Sequence, residues 1–446
     1  MKSIRTAYNN YKQFKNHKRN AMTKANDFLK AHKMTAGDVN TGELVDFFLK
    51  EMDAGLAGPN SSLRMIPTYI ETDNQLVANQ PVIAIDAGGT NFRTAKVYFD
   101  DNMKLVTENL KNCRMPAVDK EMGTQEFFDT MAGYLEEYKN SADKIGFCFS
   151  YAVEIFPDKD GVLLEWSKEI KAPSVIGEKV GHSLLAAMGT PDKTLVLLND
   201  TVATLLAGKA ATAGKEYDTY IGFILGTGTN TAYIELNDNI VKTQGLQAGS
   251  SQIINIESGA YGGAPISDID RMFDNTTKNP GRYNFEKMFA GGYFGGLITT
   301  ALQQAAREGL FSETTALLAL TELATEEANK FVWGIDLDTN QLSKALVSAQ
   351  DKETAAAIIN GLIERASKLV AANLAAVILK TDKAKDASKP ALLTIEGTTF
   401  YKLKDFQVKF EQYLKEYLSG KNQRYYEIVE VQQSSLLGAA IAAIVN

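Results

Sequence analysis

The sequence contains few cysteines and histidines, on which disulfide frameworks and many metal and catalytic sites depend. Its two cysteines, Cys113 and Cys148, lie far apart, so it favours neither a disulfide framework nor a cysteine metal site. Its three histidines, His17, His32 and His182, are scattered, and none stands beside a glycine-rich turn. We therefore expect a protein of a reducing, cytoplasmic compartment in which carboxylates act as general bases.

Long apolar stretches and an excess of positive charge are also absent. The most apolar segment, Ala371–Leu379, is far shorter than the roughly 20 residues that a membrane-spanning helix needs. The chain has 47 Lys and Arg against 54 Asp and Glu, a net charge of −7, which argues against a surface that neutralises a nucleic-acid backbone. The sequence predicts neither a membrane nor a nucleic-acid partner, and it leaves the oligomeric state open.

The N-terminus departs from this charge balance. It carries seven basic residues between Lys2 and Lys24 and no acid before Asp27. A secretory signal is excluded because the segment has no apolar stretch. We interpret it as a solvated basic helix packed on one lobe rather than as a targeting segment.

Two hairpins with glycine-rich turns are predicted about 140 residues apart, which hints at a duplicated nucleotide-binding half. One spans 82–99 around Gly88 and Gly89, and the other spans 220–236 around Gly226–Asn230. Periodicity predicts the remaining elements. They are helices at 21–52, 127–138, 201–210, 312–333, 355–379 and 434–445, strands at 145–149, 195–198 and 392–396, and an irregular stretch at 59–79. On the helix at 355–379, Glu364, Arg365 and Lys368 mark a wet face.

The first glycine turn combines groups that suit a phosphate. Gly88 and Gly89 permit positive φ and expose backbone N–H groups, Thr90 adds a hydroxyl, and Asp86 could hold Mg²⁺ through water. Two adjacent glycines alone favour an ordinary hairpin turn, but the second turn at Gly226–Asn230 makes a pair of phosphate cradles the better interpretation. A P-loop and a dinucleotide fingerprint are both missing, which disfavours those enzyme classes.

Asp200 follows a predicted buried strand and begins a predicted helix. Taken alone it favours a helix cap, with a catalytic base as the alternative. Lys168, Glu257 and Glu286 are, taken singly, ordinary surface charges. Their interpretation depends on the residues that accompany them.

From Val82 to the C-terminus the chain resembles the hexokinases, including glucokinases of the eukaryotic type. Eight motifs follow in that family's order. They are Asp86–Arg93, Gly146–Tyr151, Trp166–Lys168, Leu198–Val202, Leu225–Asn230, Asn255–Gly262, Asn279–Gly281 with Phe285–Met288, and Glu396–Thr398.

The resemblance implies an α/β fold of the two-lobed actin-like ATPase (ribonuclease H-like) type with a deep interlobe cleft. Residues 1–80 would form an N-terminal helical segment on the large lobe. Residues 81–205, with the C-terminal helix 434–446, would form the small lobe, and 206–433 the large lobe.

The resemblance also implies roles. Asp200 would be the general base for the attacking hydroxyl. Hexose would be bound by Ser150, Ser167, Lys168, Asn199, Asn230, Glu257 and Glu286. ATP and its Mg²⁺ would be bound by Asp86, Gly88, Gly89, Thr90, Asn91, Arg93, Gly226, Thr227, Gly228, Thr229, Gly397 and Thr398, with Asp86 holding the metal through water.

Several positions depart from the family pattern. They are Ala152 for Pro, Glu154 for Gln, Ser167 for Thr, Glu169 for Gly, Ser258 for Trp and Leu437 for Lys. Most of them border the expected sugar loop or the sugar-binding acids. They therefore bear on which hexose is preferred.

The resemblance therefore implies an ATP-dependent hexokinase. It would transfer the γ-phosphoryl group to the 6-hydroxyl of a hexose, with glucose the first candidate and mannose and fructose the alternatives. A catalytically weak hexose sensor of the same fold is the second hypothesis. An actin- or chaperone-like ATPase is disfavoured because it has no need for Lys168, Glu257 and Glu286.

Overall fold

The computed structural model describes residues 20–71, 76–166, 170–212 and 214–446. Its strands, in chain order, are β1 (Ile66–Glu71), β2 (Val82–Gly88), β3 (Asn91–Phe99), β4 (Leu105–Arg114), β5 (Lys144–Phe149), β6 (Ala152–Ile155), β7 (Gly161–Glu165), β8 (Thr194–Leu198), β9 (Thr219–Leu225), β10 (Thr229–Leu236), β11 (Ser251–Asn255), β12 (Ala391–Glu396) and β13 (Tyr426–Val429).

The helices alternate with these strands in the first half of the chain and dominate the second half. They are α1 (20–31), α2 (Thr41–Ala57), α3 (Thr124–Leu135), α4 (Val180–Ala187), α5 (Asp200–Ala211), α6 (Asp268–Asp274), α7 (Asn284–Lys287), α8 (Phe294–Arg307), α9 (Thr315–Leu318), α10 (Thr325–Trp333), α11 (Gln341–Ala345), α12 (Ala349–Lys380), α13 (Thr398–Lys402), α14 (Phe406–Tyr417) and α15 (Ser434–Val445). None of the helices in the described part of the chain is both long and apolar enough to cross a bilayer.

The smaller lobe is built on a five-stranded sheet of order β4-β3-β2-β5-β8. β2 and β3 form the predicted antiparallel hairpin, with Gly88 opposite Asn91. β5 is parallel to both β2 and β8. Parallel strands share the same direction, so the carboxyl ends of β2, β5 and β8 meet at one edge of the sheet, where ligands bind in open α/β sheets.

The larger lobe is built on a six-stranded sheet of order β1-β11-β10-β9-β12-β13. β9 and β10 form the second predicted hairpin, with Leu225 opposite Thr229. β12 runs parallel to β9, so the ends of these two strands are neighbours. Helices α8, α10, α12 and α14 bury the main apolar core of this lobe.

Helices α5 and α15 lie between the two sheets. α15 packs on β2, β5 and β8, while α5 packs on β9 and β12. Glycines allow this close approach, because a Cβ on Gly146 would lie 1.8 Å from the carbonyl oxygen of Ala439, and one on Gly438 would lie 2.0 Å from that of Ala203. The small residues of the predicted C-terminal helix therefore serve packing between the lobes.

Three predicted elements differ from the structure. The helix expected at 21–52 is divided into α1 and α2 by a segment that contains a short 3₁₀ helix, Ala36–Asp38. The stretch at 59–79 is not irregular throughout, since it contains β1, which pairs with β11 at the edge of the larger sheet. The single helix expected at 312–333 is divided into α9 and α10. Between them the chain turns to contact α8, where the Leu323 amide donates to Thr299 Oγ1 at 3.0 Å and the Gly295 amide to Thr325 Oγ1 at 2.8 Å.

The wet face expected on α12 is wrong at Arg365, although Glu364 is half-exposed. Arg365 is only 2% exposed and makes a bidentate ion pair with the buried Asp270, at 3.0 and 2.6 Å. Its guanidinium also donates to the carbonyl of Pro265 at 3.0 Å. The long aliphatic part of the side chain fits between helices, and the charge is matched inside the protein. The expected basic helix of the N-terminus falls mainly on residues 1–19, outside the described residues.

We expect Arg365→Leu to lower the free energy of unfolding by about 3–5 kcal/mol, because it leaves the Asp270 carboxylate buried without its partner. Lys409→Leu is the matched control: it also removes a cation from a pair with α12, but its partner Glu364 is half-exposed at 3.3 Å, and the expected loss is below about 1 kcal/mol. Urea unfolding of the ligand-free proteins measures both. Equal losses would contradict the distinction.

Candidate active site

Several of the predicted site residues follow the parallel strands of the smaller sheet. Asp86 lies near the end of β2, Ser150 follows β5, and Asn199 and Asp200 follow β8. The shared strand direction brings them to one edge, which faces the larger lobe across the cleft. Local sequence thus fixes each residue at a strand end, and the sheet register brings them together.

The first glycine turn is open to an anion. Gly89 has φ +62° and Thr90 is exposed at the tip. A Cβ on Gly88 would lie 3.2 Å from Ser150 Oγ, so this position is closely packed on its other side. Consecutive backbone N–H groups in such a turn form a cradle for phosphate oxygens.

Asp86 lies beneath this turn and is 4% exposed. It forms an ion pair with Arg93 from the neighbouring strand. Burial raises the pKa of Asp86; the charge of Arg93 opposes the rise, and the charge of Asp200 adds to it. A buried carboxylate beside an open phosphate cradle fits a Mg²⁺ ion held through water. No cluster of three or more metal-ligating side chains occurs among the described residues.

The second glycine turn, Gly226–Gly228, is surrounded by other glycines. The Gly291 and Gly292 amides donate to the carbonyls of Gly226 and Thr227, both at 2.8 Å. Gly397 approaches from the end of β12, and a Cβ on it would lie 2.1 Å from the carbonyl oxygen of Leu225. Thr398 is exposed at the start of α13.

Gly291 and Gly292 were missed in the sequence analysis. Their signal was another Gly-Gly pair, the same dipeptide that forms the first turn at Gly88 and Gly89. They lie far from Gly226 in sequence, so nothing local indicated the contact.

A network of amides and carboxylates lines the cleft on the side of the larger lobe. Asn230 Nδ2 donates to Asn255 Oδ1 at 2.7 Å and approaches Asn199 Oδ1 at 3.3 Å and Glu257 Oε1 at 3.4 Å. Asn255 Nδ2 donates to Glu257 Oε1 at 2.9 Å. The sequence analysis placed Asn255 in a family motif but gave it no role, and the structure adds it to this network.

Glu257 of this network and Glu286 both have raised pKa values. Glu257 has φ +60°, a conformation uncommon for a non-glycine residue and often found at functional sites. Burial raises its pKa; the hydrogen bond from Asn255 opposes this, and the charge of Asp200 adds to it. Glu286 Oε2 accepts from the Thr229 amide at 2.8 Å, and burial raises the pKa of Glu286 to about 7 despite that bond.

Asp200 is not the helix cap. Asn199 caps α5, because its side chain accepts from the Thr201 amide at 2.8 Å. Asp200 is the first residue of the helix, where the dipole favours a carboxylate. The only hydrogen bond found for its side chain among the described residues is a long one from Thr201 Oγ1, at 3.4 Å. The carboxylate is thus half-buried in the cleft and lightly engaged.

A narrow cavity lies between the lobes. Polar groups from both lobes meet in it, together with apolar side chains of β1, β6 and β8. Its lining includes Arg64, Thr68, Tyr151, Ala152, Asn199, Asn255 and Glu257. Concave sites with a few convergent polar groups are typical of small-molecule binding. Arg64 was not foreseen, because it lies in the stretch interpreted as irregular.

Not every predicted site residue can be placed. Ser167, Lys168 and the family departure Glu169 lie outside the described residues. Trp166, just before them, donates through Nε1 to the Ala172 carbonyl at 2.8 Å and packs against Tyr151. Asn91 is exposed opposite Gly88, beside the first turn.

The sequence of the chain is similar to those of known proteins. Two models described as hexokinase match residues 24–210 and 220–445. The glucokinase of Aspergillus niger is 27% identical over 445 residues, covering 86% of this chain and 87% of its own. Hexokinase-1 of Spinacia oleracea is 28% identical over 436 residues, covering 90% of this chain and 86% of its own.

The same relationship appears in three dimensions. A solved structure described as hexokinase from Schistosoma mansoni complexed with glucose has a TM-score of 0.77 to this one, with 23% identity, and the match covers 96% of this chain and 99% of that chain. The predicted two-lobed actin-like fold is confirmed. Since family models cover nearly all of the described residues and both glycine turns occupy the strand ends that the resemblance implied, the chain belongs to the hexokinase family, whose members phosphorylate hexoses with ATP.

Proposed function

We propose that this hexokinase transfers the γ-phosphoryl group of ATP to the 6-hydroxyl of a hexose, with Asp200 as the general base. The observation that carries the proposal is the position of Asp200 between two sets of groups. Burial raises the pKa of Asp86 on the phosphate side and that of Glu257 on the sugar side, and the charge of Asp200 adds to both shifts. A carboxylate within electrostatic reach of both can accept the proton of a hydroxyl that attacks a phosphoryl group.

The sugar side would bind the other hydroxyl groups. Ser150, Asn199, Asn230, Glu257 and Glu286 supply donors and acceptors in the cleft, and we propose that Ser167 and Lys168 join them. Asn255 orients Glu257 and Asn230. An analogue lacking one hydroxyl would leave such buried groups unpaired, which can cost up to about 10⁴-fold in discrimination.

The nucleotide side would use both glycine turns. We propose that Asp86, Gly88, Gly89, Thr90, Asn91 and Arg93 face the phosphates from the smaller lobe, and Gly226, Thr227, Gly228 and Thr229 from the larger lobe. Gly397 and Thr398 would border the adenosine. Mg²⁺, held through water by Asp86, would offset negative charge on the phosphate oxygens. Closure of the lobes would exclude water from the reacting groups.

Glucose is the first candidate for the hexose. The solved neighbour from Schistosoma mansoni is described as a complex with glucose, and the relative from Aspergillus niger as a glucokinase. Mannose and fructose are the alternatives. We further propose a cytoplasmic location, which the two free cysteines support, and no nucleic-acid partner, which the net charge of −7 supports.

A hexose sensor with weak catalysis is the second candidate. The observation that favours it is Ala152, a departure from the family's proline that lies directly in the cavity wall. ADP formation by the pure protein with glucose, mannose and fructose distinguishes the two. Hexose-dependent ADP supports the kinase, whereas hexose binding without ADP supports the sensor.

We expect Asp200→Asn to lower kcat by about 10²- to 10⁴-fold, the usual share of a positioned general base. Hexose binding should change little, since the amide still hydrogen-bonds to the hydroxyl. The exposed Asp143→Asn on the same lobe is the control and should keep wild-type turnover. A coupled ADP assay and calorimetric hexose titration measure the two effects; unchanged turnover in Asp200→Asn would remove this residue from the mechanism.

The raised pKa of Glu286 predicts that the free energy of unfolding depends on pH. Its pKa rises from a usual value of 4.5 to about 7 on folding, so the folded protein holds this proton more tightly than the unfolded chain. Stability from this group is therefore complete below about pH 4.5 and lost as the pH rises through about 7. Relative to Glu286→Gln, the wild-type protein should lose on the order of 1–3 kcal/mol between about pH 5 and 8.

Urea unfolding of the ligand-free proteins across this pH range measures the difference. Glu121→Gln, at an exposed position, is the control and should follow the wild-type profile. Parallel profiles for the wild-type protein and Glu286→Gln would show that Glu286 does not take up a proton on folding.

A further inference from the structure

We propose that Tyr151 is a positioning residue whose hydroxyl couples hexose binding to the phosphate-binding turn at Gly88–Thr90. The inference rests on the proposed function, because it assigns the cavity to the hexose and the turn to ATP. It adds a physical connection between the two ligands through one side chain.

Tyr151 belongs to the hexose cavity. It lines that cavity beside Ala152 and Asn199, and its side chain is only 4% exposed. The ring is held by two aromatic neighbours, Phe149 and Trp166, each with a centroid distance of 4.8 Å. A ring packed on two sides has little rotational freedom, so its hydroxyl has a defined position.

The hydroxyl reaches the phosphate turn. Tyr151 Oη donates to the carbonyl oxygen of Gly89 at 3.1 Å. That carbonyl belongs to the Gly89–Thr90 peptide, which is planar and trans, so its N–H points away from its C=O. Holding the carbonyl toward Tyr151 therefore directs the Thr90 N–H to the opposite side of the peptide.

This restraint matters because Gly89 is a glycine. With φ +62° and no side chain, the peptides on either side can reorient at low cost. A reoriented Gly89–Thr90 peptide would present a carbonyl oxygen where a phosphate needs a donor. The Tyr151 hydroxyl stabilises the orientation that presents the N–H.

A second contact joins the same two segments. The Ser150 amide donates to the carbonyl of Ala87 at 3.1 Å, and Gly88 packs close to Ser150 Oγ. A hexose that orders Ser150 and Tyr151 thus orders the turn through both backbone and side chain. On its other side Tyr151 contacts Trp166, which directly precedes Ser167 and Lys168.

The experiment compares Tyr151→Phe with wild-type protein by calorimetry. The dissociation constant of a non-hydrolysable ATP analogue with Mg²⁺ is measured without and with saturating glucose, and their ratio is the coupling factor. Phenylalanine keeps the ring and its packing and removes only the hydroxyl. Tyr134→Phe is the matched control, because the Tyr134 hydroxyl also donates to a backbone carbonyl of this lobe, that of Arg114, at 3.2 Å.

We expect the coupling factor of Tyr151→Phe to fall by about 3- to 10-fold, the usual worth of one hydrogen bond. Glucose affinity and thermal midpoint should stay near those of Tyr134→Phe, and kcat should fall more than KM for glucose rises. A merely structural role would lower the midpoint and leave the coupling factor unchanged.

Two results would overturn the inference, and they differ. A coupling factor in Tyr151→Phe equal to that of wild type and Tyr134→Phe would refute the role of Tyr151 alone. Wild-type protein that binds neither glucose nor the ATP analogue would refute the proposed function, and the inference with it.

Discussion

Asp200 shares its surroundings with other acids, and this concentration of negative charge constrains the rest of the site. Burial is the main cause that raises the pKa of Asp86, Glu257 and Glu396, and the charge of Asp200 raises each of these pKa values further. Arg93 offsets the negative charge of Asp86, and the side-chain amide of Asn255 offsets that of Glu257. Such an arrangement costs stability in the free protein, as expected where function rather than folding selects the residues. It favours ligands that bring hydroxyl donors and a cation.

The frame that holds these acids depends on close contact between helices and sheets. Asp200 begins α5, and α5 lies against α15 where Gly438 meets the backbone of Ala203. Because α5 also packs on the larger sheet, the carboxylate is fixed relative to both lobes. The glycines and alanines of α15 therefore influence the position of Asp200, the proposed base.

Local patterns predicted the parts of this protein whose partners are close in sequence. Both hairpins, the strands that end at Phe149 and Leu198, and the last helix follow from alternation, periodicity and turn residues. Local patterns did not predict β1 or the ion pair between Arg365 and Asp270, because an edge strand and a buried charge depend on partners that are distant in sequence. Among site residues, Asn255, Gly291, Gly292 and Arg64 were missed for the same reason, whereas motif order brought most of the others to attention. The resemblance had already implied a base at Asp200, and the structure adds that Asn199, not Asp200, caps the helix.

Glu396 lies at the junction of the two lobes, where it contacts both of the helices between the sheets. Its carboxylate, at the end of β12, accepts hydrogen bonds from Ser434 at the start of α15 and from Thr204 of α5, the latter at 3.3 Å. Ser434 and Thr204 are themselves 3.0 Å apart, so strand and both helices meet at one polar cluster. Because α5 and α15 lie between the two sheets, a rotation of one sheet relative to the other would have to move these helices. The next residue, Gly397, borders the second glycine turn. If ATP binds at that turn as proposed, it would lie beside this polar cluster, and its binding would favour the arrangement of the lobes in which it contacts both of them.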